Sequence, residues 1–198
     1  MKQNRVVLPL ALLLAASFGP CAIQAQNPTA VQKLQLSAFG GVSGDYTGLG
    51  GGKNLSLTAG GDLALPIVFN RLRPTIELRG TYPMARGTID SQKDILGGLR
   101  VDFLLGHRLR PYGDFLFGRG QMNYGSGYFY GNYEYDLTTT YVYSPGAGID
   151  FKAGTHFAIK VDGQFQRWGS APTPSGNVYS KVATVALVYR LFSRRGVY

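Results

Sequence analysis

Cysteine is all but absent: Cys21 is the only one in 198 residues. A disulfide framework is therefore excluded, and any thiol chemistry rests on one residue near the N-terminus. Histidine is nearly as scarce. His107 and His156 stand alone, and two distant histidines without cysteine do not form a metal-ligand set. No apolar run reaches the roughly 20 residues that a membrane-spanning helix needs, since the longest, Val6–Ala16, covers about eleven. Acidic residues number only 11 against 20 Lys and Arg. That excess suits an anionic partner, but no basic helix or nucleic-acid motif accompanies it, so an anionic membrane surface fits better than a nucleic acid.

The N-terminus has the build of a secretory signal. Lys2 and Arg5 precede the apolar run, and small or turn residues lead to Ile23-Gln24-Ala25, so cleavage is expected after Ala25. Phe18-Gly19-Pro20 is a poor match to the small-residue box that precedes a lipidated cysteine. Export removes Cys21 and leaves 18 basic against 11 acidic residues. The expected organisation is a signal peptide over 1–25, a linker over 26–32 and one domain over 33–198.

From Gln35 to Phe192 one unit recurs eight times: about ten residues with an apolar side chain at every second position, then a break rich in Gly, Pro or polar residues. In Asn54–Leu65 one parity reads Leu55, Leu57, Ala59, Gly61, Leu63, Leu65, and the other Asn54, Ser56, Thr58, Gly60, Asp62, Ala64. Period-two alternation predicts a half-buried strand. The predicted strands are Lys33–Val42, Lys53–Leu65, Pro74–Tyr82, Lys93–Leu105, Pro111–Arg119, Thr140–Phe151, His156–Arg167 and Tyr179–Phe192. The breaks are predicted to alternate, long at Ser43–Gly52, Pro83–Gln92, Gly120–Thr139 and Trp168–Val178, shorter at Pro66–Arg73, Gly106–Arg110 and Lys152–Thr155. Short turns on one side and long loops on the other match an outer-membrane barrel, with both termini on the short-turn side.

One face of these strands is predominantly apolar. The other carries Asp62, Glu77, Asp102, Asp114, Asp150 and Asp162 with Arg79, Arg100, Lys152, Lys160 and Arg190, a near-balanced set able to pair inside a narrow barrel. The expected fold is an all-β, eight-stranded antiparallel up-and-down transmembrane barrel, its apolar face turned to lipid and its interior filled by charged side chains. In a membrane the register is strongly fixed, because a charge facing lipid at the midplane costs about 2–4 kcal/mol against a domain stability of about 5–15 kcal/mol. The alternative that alternation leaves open is a secreted, soluble lipocalin-like barrel with the faces reversed and a small hydrophobic ligand inside. A narrow channel is a third reading, which paired interior charges disfavour.

The Leu-Gly alternations of Leu55–Leu65 and Ile95–Leu105, the strand starts Arg73-Pro74 and Arg110-Pro111-Tyr112, the stretch Pro145-Gly146-Ala147-Gly148-Ile149-Asp150 and the final Val185–Phe192 resemble the outer-membrane β-barrel domain family, the small eight-stranded barrels like the transmembrane part of OmpA and like OmpX. The last segment looks like the aromatic-ended strand that the barrel insertion machinery recognises. Ser193–Tyr198 follows it, so either Phe192 or Tyr198 serves as the terminal signal. The resemblance implies an outer-membrane location in a Gram-negative-type bacterium, a monomer and no cofactor, but no particular activity. Barrel enzymes of this size that act on lipid A place a His- or Ser-based site near the outer leaflet, whereas His107 and His156 fall in the predicted short turns, so no catalytic role is expected.

Three features bear on partners. Gly48–Asn54 superficially resembles a phosphate loop, but Thr47 stands where its first glycine is required and Asn54 where Ser or Thr is needed, so a surface loop is expected. Tyr124, Tyr128, Phe129, Tyr130, Tyr133 and Tyr135 cluster in the break over 120–139, where they form either an interfacial aromatic girdle with Tyr141 and Tyr143 or an adhesive surface for a glycan or protein. Extending each lipid-facing parity to its outer end meets Lys53, Arg86, Lys93, Arg119, Arg167 and Lys181, with no acidic residue among them. Long cationic side chains cost only about 0–1 kcal/mol near the interface. They are expected either to snorkel generically or to form a collar on the phosphates of lipopolysaccharide.

Overall fold

The computed structural model describes residues 34–48, 52–85, 91–105, 108–169 and 173–191. The expected signal peptide and linker, Arg86, His107, Phe192 and Ser193–Tyr198 lie outside them. Eight strands form: β1 (Gln35–Tyr46), β2 (Lys53–Ala64), β3 (Leu72–Ala85), β4 (Ser91–Phe103), β5 (Leu109–Tyr130), β6 (Tyr133–Lys152), β7 (Phe157–Gly169) and β8 (Asn177–Arg190). Each pairs antiparallel with its chain neighbours, and β8 returns to β1 through pairs running from Ser37↔Arg190 to Tyr46↔Lys181, closing the barrel.

All eight predicted strands are present, but the predicted alternation of loop lengths is not. Strands extend into the polar breaks, most fully over 120–139, since Thr and Tyr favour extended backbone and the ladder itself needs no apolar side chain. β1 reaches Tyr46, β3 reaches Ala85, and the break over 120–139 is a hairpin whose strands pair from Asn123↔Leu137 through a bulge to Tyr130↔Tyr133. Its turn is Gly131-Asn132, with Gly131 at φ 63°, the left-handed backbone that glycine adopts at least cost. The two ends of the barrel differ in how far strands project more than in loop length. At the opposite end Phe69 and Leu72 exchange backbone hydrogen bonds of 2.8 and 2.7 Å around Asn70 (φ 40°) and Arg71 (φ 73°). Two positive φ values make this a type I′-like turn, whose twist suits an antiparallel pair.

Burial settles which face points inward. Along β7 and β8 exposed and buried residues alternate, with Phe157, Ile159, Val161, Phe165, Val185, Leu187 and Tyr189 outside and Lys160, Asp162, Gln164, Gln166 and Arg190 inside. Leu78, Ile95 and Leu99 are 60%, 69% and 63% exposed, whereas Glu77 and Lys160 are fully buried. A water-soluble barrel with this distribution would expose a large, continuous apolar belt. The outward bands are bounded by aromatics, including Tyr141, Tyr143 and Tyr179 toward the hairpin end and Phe157 and Tyr189, 5.3 Å apart, toward the other.

The interior is zoned. One apolar cluster, containing Leu96, Leu116, Met122, Tyr124, Val142, Trp168 and Val178, closes the hairpin end. A smaller one, Phe39, Ala158, Ala186 and Val188, lies toward the opposite, chain-terminal end. Between and around them the packing is polar. Glycines on the inner wall make room for large neighbours: a Cβ on Gly120 would come within 2.2 Å of the Trp168 ring, and one on Gly148 within 2.5 Å of the Tyr112 hydroxyl.

Candidate functional site

Eight of the eleven predicted interior charges form one ion-paired network. Glu77 and Arg79, both on the inward parity of β3, are two residues apart, and Arg79 Nε donates to Glu77 Oε1 at 3.0 Å. Across the barrel the same guanidinium grips Asp162 of β7 bidentately, with Nη1 to Oδ1 at 3.0 Å and Nη2 to Oδ2 at 2.7 Å. Tyr112 donates its hydroxyl proton to the same carboxylate at 3.1 Å. From β7, Lys160 Nζ reaches Glu77 at 3.1 Å and Asp62 at 3.3 Å. Arg100 of β4 completes the set, with Asp102 at 2.6 Å, Asp62 at 3.4 Å, Glu77 at 3.6 Å and a close contact to Asp150.

Aromatic faces complete the cations' surroundings. The Arg100 guanidinium carbon lies 3.5 Å from the centroid of the Tyr112 ring, and Lys160 Nζ lies 3.7 Å from that of Phe39, favourable positions over the negative ring faces. Buried charges are tolerated only when paired and hydrogen-bonded on nearly every side. The bidentate geometry at Arg79 and the multiple donors at Asp62, Glu77 and Asp162 meet that condition.

The other three predicted members are placed differently. Asp114 is buried, but it accepts two 3.0 Å hydrogen bonds from Gln164 Nε2 and has no cation among its described ion-pair partners. Arg190 and Lys152 sit near the chain-terminal end of the barrel and make no ion pair with a described residue; Arg73 crowds both and Arg110 lies beside them, while Asp102 and Asp150 lie near Arg190 without pairing with it. Lys152 is also only half-buried. Pairing of these three was expected from charge balance, which is blind to height along the barrel.

Sequence reading also missed several interior charges. Arg73, taken only as a strand start, bonds Asp102 at 3.3 Å. Asp45 was hidden in a predicted loop, yet it lies inside β1 and accepts from Ser56. Asp94 belongs to the inward parity of β4 and takes a 3.1 Å bond from Gln166. Parity signals Asp94 once Ile95 is placed outward, and Asp45 becomes legible only when β1 is extended.

The outer rim carries Lys53, Lys93, Arg119, Arg167 and Lys181, all exposed on the outward parity. Tyrosines stand beside them in the sheet: Tyr46 pairs with both Lys53 and Lys181, Tyr141 with Arg119, and both Tyr143 and Tyr179 with Arg167. The Arg119 guanidinium carbon lies 5.3 Å from the Tyr141 ring centroid. His156 lies between β6 and β7, at the opposite end of the barrel from the hairpin.

A closed eight-stranded antiparallel barrel with an apolar exterior, aromatic margins and a charged, side-chain-filled interior is the fold of the small outer-membrane β-barrel proteins. Solved structures similar to this chain include neisserial surface protein A, with 14% identity over 79% of this chain and 96% of that one at a TM-score of 0.54. Ail, the attachment invasion locus protein of Yersinia pestis, solved with the heparin analogue sucrose octasulfate, matches at 13% identity over 80% and 99% of the two chains, also at 0.54. The outer membrane protein OprG of Pseudomonas aeruginosa matches at 9% over 82% and 98%, at 0.50. At these identities the likeness is one of fold. No protein-family model and no curated sequence relative matches the chain.

Proposed function

We propose that this chain is an integral barrel of a Gram-negative-type outer membrane, with a structural or surface-interaction role and no catalytic one. Its interior is a closed plug, and its basic rim engages the phosphates of lipopolysaccharide. The observation that carries the reading is the rim. Five cations stand outward on β2, β4, β5, β7 and β8, each within one register step of a tyrosine or a polar strand end. Arginine and lysine there can form charge-assisted bonds to phosphate at little cost in lipid.

The plug reading rests on the ion-paired core. A hollow among Asp62, Arg73, Arg100 and Arg190 measures about 20 Å³, room for about one water. A conducting pore needs a continuous path past Arg79, Arg100 and Lys160, all essentially fully buried. The membrane-facing distribution of apolar side chains disfavours a soluble carrier of a small hydrophobic ligand. Insertion through the general barrel-insertion machinery and a monomeric state follow from the same reading.

The hairpin over 120–139 is a candidate contact for a partner at the cell surface. It holds Glu134 and Asp136 and no Lys or Arg, so a neutral or basic glycan or protein suits it better than a polyanion. The rim is tested by replacing Lys53, Lys93, Arg119, Arg167 and Lys181 with Gln and measuring affinity for lipopolysaccharide in detergent-purified barrel. The expected result is at least a tenfold loss. Unchanged affinity with normal folding would leave only generic snorkelling.

A further inference from the structure

The outer wall carries two adjoining hollows that share Pro145 and Phe165. One, of about 620 Å³, is bordered by Gly44, Tyr46, Gly163, Lys181 and Ala183. The other, of about 590 Å³, is bordered by Phe115, Tyr143, Arg167 and Tyr179. Phe165 forms the ridge between them and stacks on Tyr179 at 5.6 Å. Each hollow has an apolar floor and one cation at its edge.

The first hollow exists because Gly44, Ala183, Gly163 and Ala147 follow one another across four strands in register. One row nearer the chain-terminal end stand Val42, Val185, Val161 and Ile149, and Tyr46, Lys181 and Phe165 stand one row toward the rim. The fold does not demand glycine in this row. A Cβ on Gly44 or Gly163 would have no atom within 4 Å, whereas one on the inward Gly146 would strike Gln164 at 2.3 Å. Inner glycines therefore make room for packing, while these outer ones leave space empty on a surface that faces lipid.

We infer that this sector of the wall seats the acyl chains of a phosphorylated membrane lipid, one chain on either side of Phe165, with phosphate held by Lys181 and Arg167. The assignment rests on the basic-rim reading and localises it. Charge complementarity selects the occupant. Among the described residues Lys181 and Arg167 have no carboxylate partner; Arg167 Nε donates to the Asn177 side chain at 3.1 Å, and the two cations are diagonal neighbours through the pair Phe165↔Lys181. Anionic head and apolar tails are thus both provided for within one patch. The hollow beside Lys93 and Arg119, at about 250 Å³, is less than half as large, so the same charge there lacks an equal seat.

The test uses the full chain purified in mild detergent, with diphosphorylated, hexa-acylated lipid A as probe and native mass spectrometry as readout. Folding of each variant is checked by heat-dependent gel mobility. The seat predicts that Gly163→Leu with Ala183→Leu, which fills the hollow and leaves every charge, lowers lipid A retention about tenfold. It also predicts that Lys181→Gln with Arg167→Gln costs several-fold more than Lys93→Gln with Arg119→Gln, and that the unfilled barrel binds dephosphorylated lipid A about tenfold more weakly. Equal losses for the two charge pairs, with no effect of filling, would overturn the seat and leave the rim intact. No loss in any charge variant would overturn both. A dimer in the parent chain that disappears on filling would replace the lipid with a second copy and overturn the assignment.

Discussion

Arg79 and Asp162, 83 residues apart in sequence, meet in a bidentate ion pair with bonds of 3.0 and 2.7 Å that ties β3 to β7 through the middle of the barrel. Neither strand neighbours the other in the sheet. The wall is held by backbone ladders between adjacent strands, and opposite walls are braced by side chains, this pair among them.

Removing one partner should therefore be severe. Arg79→Met leaves Glu77 and Asp162 with less compensation in a buried site, and Asp162→Asn turns a charged acceptor into a neutral one. Breaking a buried pair costs about 3–5 kcal/mol. Urea unfolding in lipid vesicles should show a loss of that order for Arg79→Met. The double variant Arg79→Met with Asp162→Leu should recover part of it, because no charge of the pair is then left unpaired.

Leu78 and Leu99 project outward from adjacent strands into the apolar band. Leu99→Arg, within the apolar band, should cost about 2–4 kcal/mol in vesicles. Lys93→Leu, three turns of the pleat nearer the rim on the same strand, should change stability by less than about 1 kcal/mol. Equal penalties at the two sites would contradict the assigned band.

Trp168 is the chain's only tryptophan. It is buried, and its ring nitrogen donates to Gln166 at 3.0 Å. Its fluorescence should be blue-shifted in the folded barrel and move to the red on unfolding, giving a single-site probe. Gly120→Val, which would drive a side chain into that ring, should destabilise the barrel by about 1–3 kcal/mol and red-shift the native emission.

The tip of the hairpin is paired only with itself, since β4 pairs with β5 no further than Asn123 and β7 pairs with β6 no further than Val142. Replacing residues 126–133 with a two-residue turn should leave folding and heat-dependent mobility intact. It retains Tyr124 and Tyr135, which pack on the apolar cluster at that end.

Much of the fold is legible in the sequence because period-two patterning is a local signal: Leu55, Leu57 and Asp62 announce their faces without reference to any other strand. Most of the ion-paired core follows from the same parity, since a charge on the inward face of an eight-stranded barrel has nowhere else to go. Strand ends are less legible. The Gly- and Tyr-rich residues 120–139 read as a loop by composition, yet a backbone ladder needs no apolar face once it projects beyond the membrane band. Pairing inside the barrel is not legible either, because height and the angle around the axis decide it. Asp114 and Lys152 share the parity of Asp162 and Lys160, and still find no ion-pair partner among the described residues.

The most direct test of the inside-out barrel is to express the full chain in a bacterial host, wash the outer-membrane fraction with urea, and compare gel mobility with and without boiling. Retention in the membrane with a heat-dependent mobility shift is the expected result. A protein recovered soluble without detergent, with no shift, would contradict the outward placement of Leu78, Ile95 and Leu99 and with it the account of the rim and the closed interior.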